Sequence, residues 1–337
     1  MTGVPPLDLV PVWTVLLAFT VAYYVLFDGF DLGVGMLYGV APGAAWRPVI
    51  MRSILPVWDG NETWLVLGGL GLLAAFPLAF AIIIPAVYFP IIIMLLALVF
   101  RGVAFEFRFK NPLAQRFWDA GFALGSAIAT LAQGAVLGTF IQGLNVNGRQ
   151  FAGSSLDWAS PFAALTAVSL VFGYGLLGAG WLIIKTAGEL QTWSRRAGRV
   201  CLVGVVLAIA AVSIWTPLLN QRVAHRWFSL PNLFWLMPIP VATAVVATSI
   251  WWALGRDSEF WPFLGAVLLF LLSFLGIAVS LWPFIVPYHY TLWQAAADES
   301  TQAFLLIGTL LLIPIILVYT AWSYWVFRGK VRADLVT

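Results

Sequence analysis

Charge is what this sequence has least of: Asp, Glu, Lys and Arg make up 9% of 337 residues, where a soluble domain carries about 25%. With 62% of the residues hydrophobic, the chain cannot keep a soluble domain's surface wet, and its solvent is lipid. The single cysteine, Cys201, excludes an internal disulfide, a thiolate cluster and a multi-cysteine zinc site; it reads as small apolar filler. A formal net charge of +3 is too small to suggest nucleic-acid binding. The stretch Met1 to Pro11 holds no basic residue and the first apolar run has no evident cleavage site, so that run is expected to be a retained helix. Gly-rich phosphate loops, nucleophile elbows and metal-spaced carboxylate–histidine sets are also missing.

What is present is a series of long apolar runs. They fall at 12–36, 55–75, 78–106, 117–142, 160–185, 198–217, 232–254, 262–282 and 302–327, each near the roughly 20 residues that cross a bilayer. The reading is an all-α integral membrane protein of about nine transmembrane helices in a single polytopic domain. The tightest boundary lies between the second and third runs, where only Phe76 and Pro77 separate two apolar stretches and a hairpin is assumed.

Basic residues fix the expected orientation. With the N-terminus outside, cytoplasmic loops hold Arg47, Arg52, Arg108, Lys110, Arg116, Lys185, Arg195, Arg196, Arg199, Arg256, Arg328, Lys330 and Arg332. The opposite loops hold only Arg149, Arg222 and Arg226, and this bias places the C-terminus in the cytoplasm. Trp13, Trp46, Trp158, Trp227, Trp261, Trp282, Trp322 and Trp325 lie near span ends, where an amphipathic ring suits the headgroup region. No repeat at a fixed period and no symmetry between halves is visible.

Intramembrane charge is costly and therefore a pointer to function. Asp28 and Asp31 stand three residues apart on the first helix, Asp59 and Glu62 repeat the spacing on the second, and Arg101 and Glu106 sit near the end of the third. All are expected toward the cytoplasmic ends of their helices. Gly29 and Gly33 have the small-xxx-small spacing that lets a neighbouring backbone approach. Five acids against one buried arginine cannot all ionise cheaply, so some are expected to hold protons at neutral pH. The functional reading is a proton-conducting or charge-compensating cluster. The structural alternative is a polar network that registers three helices, with Asp59 and Glu62 serving as helix N-terminal acids. His225 and His289, the only histidines, fall in outside loops, so no span offers a bis-histidine haem site. Met94 and Met237 are read as packing residues.

Three ordered motifs carry a family resemblance: Asp28-Gly29-Phe30-Asp31-Leu32-Gly33-Val34-Gly35-Met36, Pro56-Val57-Trp58-Asp59-Gly60-Asn61-Glu62-Thr63-Trp64, and Phe100-Arg101-Gly102-Val103-Ala104-Phe105-Glu106-Phe107-Arg108. The sequence resembles subunit II of the cytochrome bd-type quinol oxidases, including their cyanide-insensitive branch. The resemblance implies a bacterial inner-membrane heterodimer in which subunit I binds b- and d-type haems, oxidises quinol and reduces dioxygen. Subunit II then binds no haem, supports subunit I and contributes to the proton route from the cytoplasm. It further implies that Asp59 is the proton-route aspartate, Asp31 the first-helix acid and Arg101 the arginine linked to haem integrity. Some members also carry a structural quinone or a small accessory subunit. An independent proton-coupled transporter, or an anchor protein with a purely structural polar network, is the alternative that composition leaves open.

Overall fold

The computed structural model describes residues 8–110 and 112–331. Arg332 and residues 1–7, which entered the reading of the termini, lie outside the described residues. The chain folds into helices with two short hairpins. In order they are α1 (Val10–Val40), α2 (Arg47–Arg52), α3 (Trp58–Ala75), α4 (Pro77–Ala86), α5 (Tyr88–Lys110), α6 (Gln115–Gln142) and α7 (Pro161–Lys185). There follow α8 (Gly188–Leu219), α9 (Gln221–Phe228), α10 (Asn232–Leu236), α11 (Pro238–Leu254), α12 (Trp261–Leu281), α13 (Leu292–Ala295) and α14 (Glu299–Val326). Strands β1 (Val146–Asn147) and β2 (Gln150–Phe151) pair antiparallel, as do β3 (Phe284–Val286) and β4 (Tyr290–Thr291).

Among the described residues, eight helical segments are long and apolar enough to cross a membrane: α1, α5, α6, α7, α8, α10 with α11, α12 and α14. This is an all-α integral membrane protein. Helix α3 has 18 residues but opens on Asp59, Asn61 and Glu62, and these polar groups keep it below the apolarity of the others.

The run at 78–106 is not one helix. It divides into α4 and α5 at Val87, whose backbone leaves the helical region at φ −116° and ψ 22°. Pro85 lies inside α4 and Pro90 inside the first turn of α5, and each lacks the N–H that would continue an unbroken ladder. The ten residues of α4 reach only about 15 Å, and they pack on β2, β3 and α13 rather than crossing the bundle. Helix α5 then runs past Glu106 to Lys110. The chain reverses between α3 and α5, since Trp58 at the start of α3 stacks on Phe105 near the end of α5, ring centres 4.7 Å apart.

Helix α1 sits at the centre, against α3, α6 and α7. Apolar side chains gain little by leaving lipid for protein, so helices here associate by close approach. At the α1–α7 crossing, a Cβ on Gly33 would collide with the Tyr174 carbonyl, and one on Gly178 with the backbone of Gly33. Gly29 lies against the Tyr174 ring, so both glycines of the small-xxx-small pair meet α7. Across the bundle, α8, α11 and α14 present mostly exposed apolar faces.

Two ends of the bundle can be told apart by their contacts. Val10, Trp13, Ala75 and Phe76 cluster with residues of α4, β3 and α13 at one end. At the other, Tyr38 of α1 meets Arg108 of α5 and Asp119 of α6; it is called the Tyr38 end below.

Candidate functional site

Asp28, Asp31 and Arg101 are completely buried, each at 0% exposure. The spacing of three puts both acids on the inward face of α1, and the close α1–α7 crossing at Gly33 seals that face from lipid. Arg101 is brought in by α6, where a Cβ on Gly125 would lie 2.8 Å from the Ala97 carbonyl and 3.2 Å from the Arg101 Cβ. Its Nη1 donates to Asp28 Oδ1 at 2.7 Å.

Asp31 is held by an amide. Asn61 Nδ2 donates to Asp31 Oδ2 at 2.7 Å, and Tyr324 of α14 donates its hydroxyl to Asn61 Oδ1 at 2.9 Å. A second chain runs one turn from Asp28: Tyr174 donates to Gln133 Oε1 and Gln133 Nε2 donates to the Tyr24 hydroxyl, both at 2.7 Å. Helices α1, α3, α5, α6, α7 and α14 thus each send a polar group to the same interior region.

The bonding is incomplete. Asp28 Oδ2, Asp31 Oδ1, Arg101 Nε and Arg101 Nη2 are buried without a hydrogen-bond partner among the described residues. Buried polar groups are nearly always paired, and an exception calls for an explanation. One guanidinium also faces two carboxyl groups, so a proton on either carboxyl makes the trio neutral. The arrangement can therefore take up and give back one proton within a fixed frame.

The other three acids expected at the site lie elsewhere. Asp59 is exposed in the first turn of α3, and Glu62 is half-buried one turn on, within electrostatic reach of Asp28 and Arg101. Glu106 is exposed and pairs with Lys110 at 2.6 Å on its own helix, away from Arg101, because five residues along a helix turn a side chain to another face.

Asn61, Tyr324, Tyr24, Gln133 and Tyr174 were missed as site residues. Asn61 stood in the second motif beside two acids, and Gln133 is an amide inside a span; both are polar where lipid-facing positions would be apolar. The tyrosines carried no such signal, since rings in membrane helices most often serve as anchors. A further cluster was also unforeseen. At the Tyr38 end, Arg108 Nε donates to Asp119 Oδ1 at 2.6 Å and to the Tyr38 hydroxyl at 2.8 Å, Arg47 Nη1 reaches Asp119 Oδ2 at 3.3 Å, and Tyr38 donates to Asp119.

Both histidines are exposed, His225 on α9 and His289 between β3 and β4. Among the described residues no group of three His, Cys, Asp or Glu side chains is placed to hold a metal.

Comparison with known proteins agrees over nearly the whole length. A family model described as cytochrome bd terminal oxidase subunit II matches residues 9–327. Cytochrome bd-I ubiquinol oxidase subunit 2 of Escherichia coli K12 is 28% identical, the match covering 96% of this chain and 95% of that one. Cytochrome bd ubiquinol oxidase subunit 2 of Bacillus subtilis 168 is 29% identical over 95% of this chain and 96% of its own. The bd oxidase of Geobacillus thermodenitrificans contains a chain of the same fold, with a TM-score of 0.71 at 19% identity, covering 95% of this chain and 99% of that one.

Proposed function

Because the chain belongs to the cytochrome bd terminal oxidase subunit II family, we propose that it is the haem-free half of its oxidase and delivers protons from the cytoplasm toward oxygen reduction. Membership makes it a multi-pass inner-membrane subunit of a quinol:oxygen oxidoreductase. In this reading the b- and d-type haems sit in subunit I, which oxidises quinol and reduces dioxygen; the haems supply the electron chemistry, and this chain handles protons and support.

The observation that carries the reading is the buried trio of Asp28, Asp31 and Arg101, with one cation for two carboxyl groups. The Tyr38 end is read as cytoplasmic, because Arg47, Arg52, Arg108, Lys110, Lys185 and Lys330 gather there. With α3 as a ninth span, the start of α1 lies outside and the end of α14 inside.

An exposed stripe on α3 supports a docking position for the partner. Asp59, Thr63, Val66, Leu70 and Leu73 are all exposed, and their alternate spacing of four and three makes one stripe along the helix. An acid and a hydroxyl heading an apolar stripe suit a protein partner better than acyl chains. Subunit I docked on this stripe would receive protons at Asp59, with Glu62 between it and the buried trio.

Replacing Asp59 with Asn in the assembled oxidase tests this. Oxygen consumption is expected to fall at least tenfold while haem absorbance keeps its wild-type shape and amount. Unchanged turnover removes Asp59 from the route.

A further inference from the structure

At the Tyr38 end a cavity of about 260 Å³ opens between the α2–α3 junction, the end of α7 and the segment that follows α14. Among the described residues its wall carries four cations, Arg52, Lys185, Arg328 and Lys330, and no aspartate or glutamate. Trp181 forms part of the floor and is fixed by donating its Nε1 to the Ser53 carbonyl at 3.2 Å.

Three of the cations are already engaged at the rim. Lys330 Nζ reaches Glu259 Oε1 at 2.7 Å and the Thr186 carbonyl at 2.8 Å. Arg328 lies over the Trp325 ring, 4.4 Å from its centre, and donates to the Trp325 carbonyl. Arg52 stacks over Phe109 at 5.5 Å.

Lys185 differs from the others. It is 7% exposed, its ammonium donates to the Phe327 carbonyl at 2.6 Å and lies 4.9 Å from the Trp181 ring centre. Among the described residues it forms no ion pair. An ammonium offers three donors, and a buried charge is ordinarily balanced by an opposite one.

We infer that this cavity is a binding site for a phosphoryl group, held by Lys185 at its base with Arg52 and Lys330 at its mouth. The cations come from three separate chain segments and surround the space. A tetrahedral phosphoryl group offers oxygens in several directions at once, whereas a carboxylate offers two in one plane. The position, at the end of the bundle beside exposed Trp325 and Phe327 of α14 and its extension, matches the depth at which basic pockets between membrane helices take anionic lipid headgroups. Inorganic phosphate from the aqueous side has the same chemistry. The inference does not depend on proton delivery through the buried trio.

The test uses the complete oxidase, both subunits together, purified in detergent and stripped of lipid. Thermal unfolding is followed while phosphatidylglycerol, phosphatidylcholine or sodium phosphate is added. Phosphatidylglycerol is expected to raise Tm, and Lys185→Met is expected to need about tenfold more of it for the same rise, as loss of one charge-assisted contact of about 1.4 kcal/mol implies. Should Lys185→Met fail to assemble, Lys330→Met on the exposed segment makes the same comparison. A response to phosphatidylglycerol alone assigns the site to a lipid headgroup, and a response to phosphate as well assigns it to the free anion; both uphold a phosphoryl site. An equal response to phosphatidylcholine that the lysine variant leaves unchanged, no response to any addition, or a response identical in wild type and variant overturns it.

Discussion

Two ion clusters share helices α1 and α5, and they are built in opposite ways. At the Tyr38 end, Arg108, Asp119, Arg47 and Tyr38 form a more nearly closed set: each arginine has a carboxylate oxygen, the phenol bonds to both signs of charge, and among the described residues Arg47 Nε alone of its buried side-chain atoms lacks a partner. Seven residues back along α5, Arg101 reaches one oxygen of Asp28 and, among the described residues, leaves two of its own nitrogens without partners. The closed set is what helix registration requires. The open set costs more to bury, and its two carboxyl groups for one cation leave a place for the proton that proton handling requires.

This contrast orders the expected effects of substitution. Arg101→Gln should do the most damage, because it strands Asp28 at zero exposure; removing one partner of a buried pair costs about 3–5 kcal/mol. The measurement is assembled oxidase in membranes, read by haem absorbance, and a double variant with Asp28→Asn should recover part of the loss. Normal assembly of Arg101→Gln would mean that the open cluster is not under electrostatic tension.

Arg108→Gln comes next. Asp119 keeps Arg47 and Tyr38, so the loss is about 1–3 kcal/mol, seen as a lower Tm with turnover per haem unchanged. A fall in turnover at normal haem content would give the closed cluster a functional part and erase the distinction. Glu106→Gln should do least: its pair with Lys110 is exposed on both sides, and exposed pairs contribute little. Growth, spectrum and turnover should match wild type.

The sequence made the buried acids legible through a simple rule: charge in an apolar run is anomalous, and Asp28, Asp31 and Arg101 all converge in the folded chain. The rule failed for Glu106, because proximity in sequence to Arg101 says nothing about facing, and five residues bring the side chain round to solvent. It failed differently for Asn61 and Tyr324. An amide and a phenol cost far less to bury than an ion, so they leave no comparable mark, although they connect Asp31 to α14 through a bond between positions 263 apart in sequence, Asn61 and Tyr324. The long helices were readable from apolar length, while the split at Val87 depended on where Pro85 and Pro90 fall within the third run. The closed cluster was hidden for another reason: Arg108 and Asp119 sit where loop charges are expected, and only the fold shows that Arg108 turns inward.

Proton delivery through the open cluster is tested most directly by Asp31→Asn in the fully assembled oxidase. Asparagine keeps the size of the side chain and an acceptor for Asn61 but cannot carry a titrating proton. The reduced enzyme is mixed with oxygen in a weakly buffered solution containing a pH indicator dye, and proton uptake is timed against haem oxidation. Uptake and the oxidation phase coupled to it are expected to slow about tenfold with the haem spectrum intact. Uptake at the wild-type rate with an intact spectrum would contradict proton delivery through Asp31 and leave the buried trio as support for the bundle.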